Sequence, residues 1–259
     1  MRKNALIILL ATLVLSVFGA FLRWLQTRNI FEAESGLAVR GAPISAIYVL
    51  FSAVVLACIV ALVLLLLRRT AAATAPAEAL RCESAVPKVL ATVLAVVFLC
   101  AALLALFTAG GLRRPSPAWQ RAFGATAIFG GLCFPFLLPK RSGDSDSASR
   151  TAGLICTVFY CFWLIFAYKL HAESPVIWAY GPEMLALAAT TLGVYEVTAY
   201  FHGHAKPAWA LIALYAAAFL DISVVFDVRD VAFTVMLAVS AALMLLFAYL
   251  LTANLTRRD

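Results

Sequence analysis

Eight long apolar runs, each about as long as a bilayer is thick, leave this chain few ways to fold. They lie at Asn4–Leu25, Ile44–Leu67, Val89–Ala109, Ala122–Leu138, Thr151–Leu170, Pro182–Phe201, Pro207–Phe226 and Val231–Ala253. A hydrocarbon layer about 30 Å deep is crossed by roughly 20 residues of helix, because each residue adds about 1.5 Å. No water reaches the backbone there, so only helices and closed barrels satisfy every N–H and C=O. The runs exceed the length of a barrel strand and lack its alternation. The expected fold class is therefore all-α: a polytopic transmembrane helical bundle of eight spans, forming one integral membrane domain over residues 1–259.

Charge supports the same reading. Only 13% of the 259 residues are charged and the mean hydropathy is +0.98, whereas a soluble domain covers itself with about 25% charged residues. A water-soluble enzyme and a disordered chain are both excluded. The formal charge of +7 arises from basic residues between the apolar runs. That placement suits lipid head groups as the partner, and no nucleic acid is expected.

Met1-Arg2-Lys3 precedes a first run longer than the 7–15 residues of a secretion signal and without an A-x-A site, so the first helix is expected to be retained. Lys and Arg near helix ends stay on the cytoplasmic side. With both termini inside, twelve of them lie on inner segments and eight, Arg23 and Arg28 among them, on outer ones. The Ser-rich stretch Arg141–Arg150 reads as a polar linker, 140–150, between a first four-helix half (1–139) and a second (151–259). Ala33-Glu34-Ser35 before Gly41 and Pro43 is echoed by Ala172-Glu173-Ser174 before Gly181-Pro182, a short match that chance also produces.

An ionisable side chain inside the hydrocarbon costs about 2.5–3.5 kcal/mol on insertion scales and marks function by default. The candidates are Glu183, Glu196 and Asp221. Glu183 follows Gly181-Pro182 and also fits a plain helix start, where Pro takes the first position and an acid meets the positive end of the dipole. Glu196 sits about 7 Å inside the inner end of its span, with Tyr200 one turn further on the same face. It is either a proton or cation site or a carboxylate reaching the interface. Asp221 is expected level with Glu183, about 15 Å in depth from Glu196, too far for two carboxyls sharing a proton. A paired-acid hydrolase is thus disfavoured, while acids staggered along two antiparallel spans suit a stepwise polar path. Asp230, just before Val231, reads as an N-cap.

His202-Gly203-His204 offers a weak metal motif with Glu196 six residues away, off its helical face; a solvated turn near head groups accounts for it as well. His171 is expected at the outer interface. The six cysteines lack C-x-x-C or zinc spacing, and no structural disulfide framework is expected. H-E-x-x-H, G-x-S-x-G, Walker A and G-x-G-x-x-G motifs do not occur, so no cofactor and no catalytic residue is assigned. Gly124, Gly130, Gly131 and Pro135 in the fourth span, and Ala189-x-x-x-Gly193 in the sixth, are small-residue contact faces suited to a buried helix or to a seam with a membrane partner or second copy.

Arg23-Trp24-Leu25-Gln26, Phe31-Glu32, Gly36-Leu37, Gly41-Ala42-Pro43, Glu183-Met-Leu-Ala-Leu-Ala188 and Tyr200-Phe-His-Gly203 before Lys206-Pro207 resemble segments of multi-pass membrane proteins of Gram-positive bacteria of uncharacterised function. The resemblance implies a bacterial plasma-membrane location and carries no activity with it. The expectation is binding or transport of a small solute or ion, with Glu196, Asp221, Glu183 and Tyr200 on its path. The alternative is a scaffold or sensory subunit held to a partner by the small-residue faces.

Overall fold

The computed structural model describes residues 2–30, 43–82, 84–108, 116–138, 147–171, 177–227 and 230–257. Its helices are α1 (Arg2–Ile30), α2 (Pro43–Arg69), the single turn α3 (Pro76–Ala79), α4 (Val86–Phe107), α5 (Pro117–Cys133), α6 (Ser147–His171), α7 (Ile177–Phe201), α8 (Pro207–Val224) and α9 (Val231–Ala253). Seven of them, all but α3 and α5, are long and apolar enough to cross a bilayer. The 17 residues of α5 continue into a 3₁₀ turn at Phe134–Leu137, where Pro135 cannot donate to the α-helical ladder. Together they run about 33 Å. The all-α bundle expected from the apolar runs is what forms.

Side-chain and strand contacts fix the directions. Gln26, near the end of α1, bonds Ser45 at the start of α2. A two-residue antiparallel ladder joins β1 (Thr70–Ala71), after α2, to β2 (Thr256–Arg257), after α9. Asn254 Nδ2 adds donations to the carbonyls of Ala79 and Arg81 at 2.9 and 3.0 Å. The beginning of α1 and the ends of α2 and α9 therefore share one face. At the other face, Trp119 near the start of α5 stacks on Phe162 of α6 and lies under Lys169. So α5 also runs the full depth between its neighbours.

Helices far apart in sequence pack together: α1 lies along α8 and α4 along α9, with α8 and α9 at the centre. Exposed Leu, Ile, Val and Phe of α1, α2 and α4 cover the outside, the opposite of what water would tolerate over so broad a surface. The close approaches come where small residues stand. A Cβ at Gly124 would fall 2.8 Å from the Cα of Leu106, so α4 and α5 touch backbone to backbone. Gly193 faces Met244 and Leu214. Both small-residue faces are thus used inside the bundle.

Two expectations are corrected. The polar linker loses its last four residues: Ser147–Arg150 already belong to α6, and Arg150 Nε donates to the Phe201 carbonyl. Residues 140–146 lie outside the described residues, as do both copies of the short Glu-to-Pro echo apart from their prolines and Gly181. Nor does Pro182 open a helix. It lies inside α7, which starts five residues earlier at Ile177; the apolar Ile177 to Gly181 segment, too short to register as part of a span with a Pro at its end, is wound on to the same helix. Asp230 does cap α9, accepting from Ala232 N at 2.8 Å.

Candidate functional site

Asp221 is completely buried on α8. Thr190 of α7 donates to its Oδ2 at 2.7 Å, and its Oδ1 has no hydrogen-bond partner. From α6 and α9, Tyr160 and Ser240 meet at 2.7 Å; Ser240 donates to the Met236 carbonyl, so the Tyr160 hydroxyl donates to Ser240. Tyr160 is within electrostatic reach of Asp221. Three helices, α6, α7 and α9, thus place hydroxyls near one buried carboxyl on a fourth, α8. A half-satisfied carboxyl in an apolar interior is costly, and native structures keep such groups where they are used.

The depth of Asp221 differs from the expectation. Thr190 is seven residues after Glu183 and six before Glu196, which puts Asp221 about 10 Å from the level of one and about 9 Å from the other. It is neither level with Glu183 nor 15 Å from Glu196. Side chains on a helix lean toward its own N-terminus, and α7 and α8 run in opposite directions, so the tips of Glu196 and Asp221 approach in depth. They remain too far apart to share a proton.

Glu196 is half-buried, with its Oε2 enclosed and unpartnered. Tyr200 is buried one turn on, and Lys206 is near enough to act on the Glu196 carboxyl. His202 and His204 are exposed in the turn after α7; His202 Nδ1 lies 3.1 Å from the Thr198 carbonyl oxygen. Among the described residues no three His, Cys, Asp or Glu side chains assemble into a metal site.

Glu183 lies seven positions into α7, where helix-dipole stabilisation has faded, and is held by His171 at 3.1 Å. His171 stacks on Tyr180 with ring centroids 5.2 Å apart. Beside this pair lies a group that sequence reasoning missed. Arg23, expected at the outer interface, is fully buried and donates from Nε to Asp227 Oδ2 at 2.6 Å, from Nη1 to Gln26 at 2.7 Å and from Nη2 to the Ala179 carbonyl at 3.0 Å. The last bond falls in the turn before Pro182, where the missing proline N–H leaves the neighbouring Trp178 carbonyl without its helical donor. Burial raises Asp227 to about 6, against the lowering pull of Arg23. Asp227 lies one residue past the predicted seventh span, so a search for acids within spans passed over it.

The arrangement defines an integral membrane helical bundle with acids at three depths along α7 and α8. No family model matches the chain, and neither does any curated protein or solved structure.

Proposed function

We propose that this bundle binds or moves a small solute or ion along the α7–α8 pair, with Asp221 as the central group and Glu196 toward the face of the chain ends. The observation that carries it is the enclosed Asp221 carboxyl, half-satisfied and flanked in depth by Glu183 and Glu196. Glu183 and Tyr200 serve at the two ends of the path. The resemblance to Gram-positive membrane proteins favours a bacterial plasma membrane, and the basic residues favour cytoplasmic termini. The scaffold reading is weakened because Gly124 and Gly193 are covered by the chain's own helices.

Purified protein reconstituted in liposomes tests this, with Na⁺, K⁺ and proton fluxes followed by entrapped indicator dyes. The wild type should pass at least one of these ions, and Asp221→Asn and Glu196→Gln should slow that flux at least tenfold. Flux unchanged in both variants would remove these carboxyls from the mechanism. Absence of all three fluxes, with one stoichiometric co-purifying partner, would favour the scaffold.

A further inference from the structure

One buried cation ties four helices together at the face opposite the chain ends. Arg23 reaches Asp227 just beyond α8, the Ala179 carbonyl in α7 and Gln26 on α1, and Gln26 passes the link to Ser45 of α2. Tyr48 of α2 lies under the guanidinium, 5.7 Å from ring centroid to Cζ. The Asp227 side chain is only 4% exposed; Arg23 holds Oδ2, while Oδ1 is enclosed without a partner. Among the described residues, Glu183 from α7, His171 from α6 and Tyr48 from α2 also act on it.

We propose that Arg23 and Asp227 form a proton-coupled latch at this face: the closed packing of α1, α2, α7 and α8 holds a proton on Asp227 more tightly than the open, hydrated arrangement does, so acid keeps the latch shut. When the protonated latch opens, the O–H bond at Oδ1 breaks, the proton passes to water and the carboxylate keeps the electron pair.

The direction of coupling follows from burial. Enclosure lifts Asp227 to about 6 from its ordinary 3.8, Arg23 offsetting only part of that rise. The closed arrangement therefore binds the proton more tightly than an open, hydrated one, so protonation favours closure. Opening should become about tenfold more frequent between pH 5 and pH 7, and level off above that.

The latch is independent of the transport reading, because it can be observed in a nanodisc where no flux exists. Hydrogen–deuterium exchange of the full chain in nanodiscs, corrected for intrinsic pH dependence, reports opening through peptides spanning 20–30 and 177–183. The wild type should show about tenfold more opening at pH 7 than at pH 5. Asp227→Asn, a neutral copy of the protonated form, should stay closed and flat with pH, and His171→Gln should keep the wild-type dependence. Should Asp227→Asn fail to fold, Asp227→Glu must retain the dependence. A flat wild-type profile, a pH-dependent Asp227→Asn, a flat Asp227→Glu, or loss of the effect in His171→Gln would each overturn the latch.

Discussion

Thr190 and Asp221 face each other across α7 and α8 with 2.7 Å between the hydroxyl and a carboxyl oxygen, both side chains sealed from the outside. This bond is what gives the central carboxyl its position. Thr190→Val should lower unfolding stability in detergent by about 1–2 kcal/mol, since a buried acceptor loses its donor. Adding Asp221→Leu should recover part of that loss, because removing both partners is milder than orphaning one. Denaturant titration of the two variants decides the point.

Close packing sorts the glycines. Gly124→Ala would set a methyl 2.8 Å from the Leu106 Cα, which cannot rotate away, whereas Gly181→Ala meets only the Ile177 side chain at 3.4 Å. Thermal melts should show a loss of about 1–3 kcal/mol for the first. The second should be neutral or stabilising by up to about 1 kcal/mol, as alanine favours the helix.

Asp227 gives stability a pH dependence whose sign opposes that of a salt-bridged carboxylate with a depressed pKa. Its folded value of about 6 lies above the ordinary 3.8, so the folded state binds the proton more tightly. The contribution is fully present below about pH 4, is lost as pH rises through about 6, and amounts to about 3 kcal/mol. Unfolding measured from pH 4 to pH 8 should reveal this fall in the wild type, and Asp227→Asn should lack it.

Both ends of the described chain share a face: Gln26 with Ser45 sets α1 antiparallel to α2, and Thr70 with Arg257 and Asn254 with the Ala79 carbonyl tie the chain after α9 to the segment after α2. Reporters fused at the N-terminus and after Asp259 should read the same side, and opposite readings would break the alternation of helix directions.

Apolar length made the helices legible: the last span, Val231–Ala253, coincides with α9, and the first two differ from α1 and α2 by a few residues at their ends. Hydropathy failed where lateral partners decide. Pro182 resembles a helix start until Arg23 is seen supplying the Ala179 carbonyl with a donor from another helix. Asp227 and Arg23 are 204 residues apart, and no local pattern joins them. Asp221 and Glu196 were found as acids inside apolar runs, but their relative depth needed the Thr190 bond and the opposed lean of side chains on antiparallel helices.

The central claim, that the buried carboxyl of α8 lies on a path for a solute or ion, is tested most directly by asking whether water reaches it. Hydroxyl-radical footprinting in nanodiscs, read by mass spectrometry, marks side chains beside internal water. Tyr160 should be oxidised despite its complete burial, while Phe98 and Phe134, equally buried in the aromatic cluster, stay unmodified. An unmodified Tyr160 would place Asp221 in a dry seam and contradict the account.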